Sequence, residues 1–165
     1  MNRSAIAIAI AATALLSVSN SPGALAHDYS IGSLRIGHPW ARATPPAAKV
    51  GAGYLKIGNT GSTHDRLLGG TTQAAARFEI HEITFADGIA RMRLKTDGVG
   101  IAPGEVLELK PNAIHLMLVD LNGSLKQGDK VKAILRFEKA GELEIEFQVQ
   151  GIGAKPQATP DHAAH

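Results

Sequence analysis

The stretch "ELEIEFQVQ" (142–150) alternates without a break. Leu143, Ile145, Phe147 and Val149 fall on one side, and Glu144, Glu146 and Gln148 on the other. A period of two belongs to a strand with one face in a core and the other in water. The rest of the chain repeats this theme. Short β-rich runs, punctuated by Gly, Pro, Asn and Asp, predict further strands near 31–37, 50–57, 64–71, 76–84, 89–95, 105–110, 113–120 and 131–138. "ADG" (86–88) and "KAGE" (139–142) read as hairpin turns, and 37–53 begins as a long loop holding the single tryptophan, Trp40. Helical periodicity is nearly absent beyond the first segment. Strands at this spacing predict an all-β, two-sheet sandwich rather than an α/β fold.

The opening "MNRSAIAIAIAATALLSVSNSPGALAHDYS" has a different character. Arg3 precedes an apolar run over 5–18, and "ALA" (24–26) places small residues where a leader would be cut. This is the layout of a secretory signal peptide over 1–26, with cleavage after Ala26 and export to the periplasm expected. The apolar run is shorter than the roughly 20 residues of a membrane helix. The expected organisation is a domain over 27–150 and a flexible tail, "GIGAKPQATPDHAAH", over 151–165.

The sequence contains no cysteine. Thiol–disulfide exchange, cysteine-ligated iron–sulfur clusters and thiolate nucleophiles are therefore excluded, and packing alone must stabilise the domain. Without Arg3, 16 basic residues face 15 acidic ones. There is no basic block, which argues against nucleic-acid binding. No catalytic triad or acid/base carboxylate pair is evident.

The stretch "NAIHLMLVDL" (112–121) carries the chemistry. In a strand, residues i and i+2 project from one face about 7 Å apart. Ile114, Leu116 and Leu118 would enter the core, leaving His115 and Met117 together on the outward face. In "RFEIHEI" (77–83), Phe78 and Ile80 share one side, and His81 lies on the other with Glu79. Beyond the signal segment only two methionines remain, Met92 and Met117. Methionine is ordinarily a core gap-filler. Met117 on the outward face would fill no core; for Met92 the pattern leaves a packed role equally open.

Thioether sulfur is soft and neutral, poor for Mg²⁺ or Ca²⁺ and suited to Cu(I), with imidazole completing the shell. Outside the cytoplasm thiols tend to oxidise, whereas methionine supplies soft sulfur without a thiol. A blue-copper site is disfavoured because it needs a cysteine. The His/Met pairs therefore point to a Cu(I) carrier.

These residues also carry a resemblance. "GHPWARATPPAAKVGAGYL", "EIHEI", "RMRLK", "LELKPNAIHLML" and "FEKAGELEIEFQV" resemble the periplasmic PCu(A)C copper chaperones over nearly all of 27–150. The family pattern is a His, ten residues, a Met, about twenty-one residues and His-x-Met; here His81 is followed by ten residues and Met92, then by 22 residues and "HLM" (115–117). The resemblance implies a cupredoxin-like, Greek-key β-sandwich or barrel binding one Cu(I) through His81, Met92, His115 and Met117. It also implies delivery towards the CuA centre of cytochrome c oxidase, alongside a Sco-type chaperone. In one respect the sequence departs from the pattern: where many relatives carry extra methionines after the first His, Ile83, Phe85 and Ala90 stand here.

The expected mechanism is transfer without catalysis, by a monomer with no membrane span once the signal is removed. Acidification would protonate the histidines and weaken binding. His38 and Trp40 read as structural, and His64 as a solvated turn residue. His27, His162 and His165 would suit a second, Cu(II), site. Two rival classes are a copper-dependent oxidative enzyme built on an amino-terminal His27 and a metal-free structural β-sandwich.

Overall fold

The computed structural model describes residues 29–156. The signal segment and the histidines at 27, 162 and 165 lie outside the described residues. Eleven strands follow in order: β1 (Tyr29–Ile31), β2 (Leu34–Arg42), β3 (Val50–Asn59), β4 (Asp65–Thr72), β5 (Ala75–Ala86), β6 (Ile89–Leu94), β7 (Val99–Ile101), β8 (Val106–Leu109), β9 (Ile114–Leu121), β10 (Lys130–Phe137) and β11 (Glu142–Gln150). Among the described residues no helix is long and apolar enough to cross a membrane.

The ladder runs β6-β5-β9-β3-β2-β11-β10-β4-β7, with β1 added to β2 and β8 to β3. The two layers expected of a sandwich are thus joined edge to edge. The joint is the parallel pairing of β11 with β2, Gln148 opposite Trp40 through Gln150 opposite Arg42. The layers then close face to face. A Cβ on Gly53 of β3 would come within 3.2 Å of the Phe147 ring on β11. Gly70 of β4 is likewise packed against the Phe78 ring of β5.

The alternation in β11 places Ile145, Phe147 and Val149 in the buried cluster, with Leu143 packed against it. On β10 the same rule buries Val131, Ala133, Leu135 and Phe137. The opposite faces of these two strands are linked by ion pairs, Lys130–Glu146 at 3.0 Å and Lys132–Glu144 at 3.7 Å. The apolar faces of both strands supply stability; exposed pairs of this kind add little.

Segment 37–53 differs from the loop expected at its start. β2 continues to Arg42 across an irregularity between Gly37 and Trp40. His38 there adopts a positive φ of 50°. The kink lets a proline, Pro39, sit inside the strand and hides the strand from a reading of periodicity. Beyond it Trp40 is buried against Tyr54, with ring centroids 4.4 Å apart. The structural reading of Trp40 therefore holds.

Candidate metal centre

Three strands build the site. β5 and β6 form a hairpin whose two-residue turn, Asp87-Gly88, has positive φ at both positions (53° and 75°). Both positions of a type I′ turn require such angles, and Asp-Gly supplies them cheaply. β9 lies along the other side of β5.

Register decides which side chains meet. In an antiparallel pair, residues directly opposite share a face. His81 stands opposite His115, and Glu79 opposite Met117, between β5 and β9. His81 also stands opposite Leu94, and Ile83 opposite Met92, between β5 and β6. Residues two apart share a face as well. Met92, His81, His115 and Met117 therefore lie on one face of three adjacent strands, with Glu79 among them.

The parity expected for β9 is borne out, since Leu116 and Leu118 are in the core and His115 and Met117 point to the other side. The expected outward exposure is corrected in one respect. His115 is only 6% exposed, Met117 is half-buried, and Met92 is 52% exposed. Periodicity reports the face a residue occupies; it does not report what covers that face. β9 is flanked on both sides, by β5 and β3, whereas β6 is an edge strand. The four candidates thus run from a buried imidazole to an open thioether. Neither Met92 nor Met117 belongs to the buried core cluster.

Apolar side chains surround the open end. Phe85 is 63% exposed and Leu94 49%, on the same hairpin face as Met92 and His81. The reverse face of the hairpin carries Glu82, Thr84, Arg91 and Arg93.

The two imidazoles have ring centroids 6.2 Å apart, with planes inclined by 35°. His115 is anchored by Nδ1, 3.0 Å from the Ala113 carbonyl. A carbonyl only accepts, so Nδ1 carries the proton and Nε2 of a neutral ring keeps its lone pair. His81 is held by the other nitrogen, with Nε2 2.8 Å from Glu79 Oε2. Its Nδ1 is buried with no hydrogen-bond partner, and it is the one side-chain N or O atom in that condition among the described residues. Leaving a buried polar atom unsatisfied costs about 1–3 kcal/mol. A soft cation accepting that lone pair would remove the cost.

Strand parity places Glu79 beside His81, and the E-x-H spacing carries the signal, because residues at i and i+2 share a face. Among the described residues, no group of three or more His, Cys, Asp or Glu side chains could hold a metal ion. The thioethers on the same face are soft donors, suited to a soft metal better than a hard one.

A family model for "Putative lipoprotein LpqE-like" proteins matches residues 34–149. The chain belongs to the LpqE-like family. A relative of this LpqE-like protein, "Putative lipoprotein Lxx21020" of Leifsonia xyli subsp. xyli, is 31% identical over 104 residues. The match spans 63% of this chain and 61% of that relative, so the chain covers less than two thirds of the relative's length.

Solved structures agree with the fold. The copper-bound PCuAC domain from PmoF2 matches with a TM-score of 0.66 at 26% identity, over 76% of this chain and 98% of that one. The apo PCuAC domain from PmoF1 matches with a TM-score of 0.65 at 28% identity, over 76% and 99%. The Cu(I) form of DR1885 from Deinococcus radiodurans shares the fold, with a TM-score of 0.58 at 24% identity over 77% and 83%. The cupredoxin-like fold and the PCu(A)C resemblance expected from the sequence are both borne out for this LpqE-like protein.

Proposed function

We propose that this protein is an exported copper chaperone. It takes up one Cu(I) through His81, Met92, His115 and Met117 and hands it to a receiving protein. The observation that carries this reading is the convergence of two imidazoles and two thioethers on one face of β6, β5 and β9, with a buried, unpartnered nitrogen among them. The likeness to a copper-bound PCuAC domain supports it. The lipoprotein relatives support export; the periplasm as destination and cleavage after Ala26 rest on the leader sequence alone.

The gradient of burial suits transfer. Met92, on the exposed edge strand, is the ligand an incoming partner reaches first. Its displacement would leave the ion on Met117 and the two imidazoles. His115, buried and tied to Ala113, would let go last. Copper then moves by stepwise ligand exchange without becoming free. The recipient in this reading is the CuA subunit of cytochrome c oxidase or a Sco-type chaperone. A weaker Cu(II) site drawing on His27, His162 and His165 forms the second part of the proposal.

An anaerobic Cu(I) competition titration tests the ligand set. Each of His81→Ala, Met92→Ala, His115→Ala and Met117→Ala should weaken Cu(I) binding. A Met117→Ala variant with wild-type affinity would overturn the assignment.

A further inference from the structure

The two histidines of the site are held by opposite nitrogens. His115 is bonded through Nδ1 to the Ala113 carbonyl, and His81 through Nε2 to the Glu79 carboxylate. Glu79 is itself held from behind. Arg77 Nη1 lies 3.4 Å from Glu79 Oε1, and Arg77 Nη2 lies 3.2 Å from Asp120 Oδ2. This chain, Asp120 to Arg77 to Glu79 to His81, runs across β5 and β9 and ends at the imidazole.

From this geometry we infer that Glu79 is a positioning residue for the metal site: it holds His81 in the Nε2–H tautomer, so that His81 offers Nδ1 while His115 offers Nε2. The inference rests on the ligand reading given above. Its physical basis is donor and acceptor counting. A carboxylate oxygen only accepts, so the shared proton sits on Nε2. A neutral ring then has a bare lone pair at Nδ1, the atom found buried and without a partner. Arg77 reaches only Oε1 of Glu79, which leaves Oε2 to hold the ring. A carboxylate on the remote nitrogen fixes the ring's orientation and raises its basicity as a ligand. Glu79 stands opposite Met117 in the ladder, so it can hold the ring from within the ligand face.

The test begins without metal. Long-range ¹H–¹⁵N correlation spectra of the metal-free protein, labelled at histidine, report which ring nitrogen carries the proton. His81 is expected to show a protonated Nε2 and a bare Nδ1, and His115 the reverse. Glu79→Ala should release His81 from a single tautomer, leave the His115 pattern unchanged, and weaken Cu(I) binding by about 10-fold or more. Glu79→Gln, whose amide oxygen can accept the same bond, should lose less; it also serves if the alanine variant fails to fold. A wild-type His81 protonated at Nδ1, or at both nitrogens, would overturn the inference while leaving the ligand reading intact. So would a Glu79→Ala variant with unchanged tautomer and affinity. A wild type with the expected tautomers that binds no Cu(I) would overturn both readings together.

Discussion

His81 and His115 stand directly opposite each other on β5 and β9, their ring centroids 6.2 Å apart. They are far apart in sequence, and only the register of two neighbouring strands brings them together. The same register places Glu79 opposite Met117 and, through the hairpin, Met92 diagonal to His81. A slip of one residue in β9 would turn His115 and Met117 to the other face.

Burial separates ligand roles from structural ones. Met92 is more than half exposed, so Met92→Ala should change the stability of the metal-free protein by no more than about 0.5 kcal/mol. His115→Ala empties a buried position and removes one of the two donors to the Ala113 carbonyl, which keeps the Ile83 N–H; the lost hydrogen bond alone costs about 0.5–1.5 kcal/mol. Both should weaken Cu(I) binding. Urea unfolding without metal, beside a copper competition titration, checks the split; equal stability losses would count against it.

Copper should stabilise the fold by mass action. Free Cu(I) at about 100 times its dissociation constant adds about 2.7 kcal/mol to the unfolding free energy. Thermal unfolding under anaerobic conditions should show a higher midpoint for the wild type and little shift for His115→Ala. A midpoint indifferent to Cu(I) in the wild type would show that the folded form is not the one that binds.

Asp65 sets an acid limit to stability away from the site. Its buried carboxylate accepts the backbone N–H groups of Arg66 (2.7 Å), Lys139 (3.0 Å) and Ala140 (3.0 Å), tying β4 to the turn before β11. Burial alone would raise its pKa; the three N–H donors and the Lys139 charge outweigh it and hold the pKa below the ordinary 3.8. The unfolded chain therefore takes up the proton first as pH falls. The stabilisation is fully present above the unfolded value and is lost as pH drops through the lower, folded one. Asp65→Asn should cost about 1–3 kcal/mol at neutral pH, and the gap from wild type should narrow below pH 3.8. Urea midpoints across that range measure it, and a gap independent of pH would refute the account.

Close packing against both β10 and β5 predicts a cost at Gly70. A Cβ there would strike the Ile134 carbonyl oxygen and approach the Phe78 ring to 3.1 Å. Since one of those neighbours is backbone, Gly70→Ala should destabilise by at least about 1–3 kcal/mol. Denaturant unfolding would show it, and a neutral outcome would mean that β4 can shift against β10 and the Phe78 ring at little cost.

Much of this was legible in the residues. Strict alternation marked β11, a β-rich run marked β10, Asp87-Gly88 marked the hairpin, and parity put His115 and Met117 on the face away from Leu116 and Leu118. Four things were not legible, for different reasons. The continuation of β2 past His38 is masked by the kink before Pro39. β1 and β7, at three residues each, are too short to show a period. The burial of His115 comes from strands that flank β9 in space, and alternation within one strand cannot report its neighbours. Glu79 lay in plain view two residues from His81, but its bond to Nε2 depends on side-chain geometry that spacing does not specify.

The central claim is that one Cu(I) is bound by two imidazoles and two thioethers at His81, Met92, His115 and Met117. X-ray absorption at the copper edge, on the anaerobically Cu(I)-loaded protein, reads the ligand set directly. The account predicts a filled-shell Cu(I) edge with two sulfur and two nitrogen scatterers in the wild type, and one sulfur in either Met→Ala variant. A wild-type spectrum fitted by nitrogen and oxygen alone, with no sulfur at bonding distance, would contradict it.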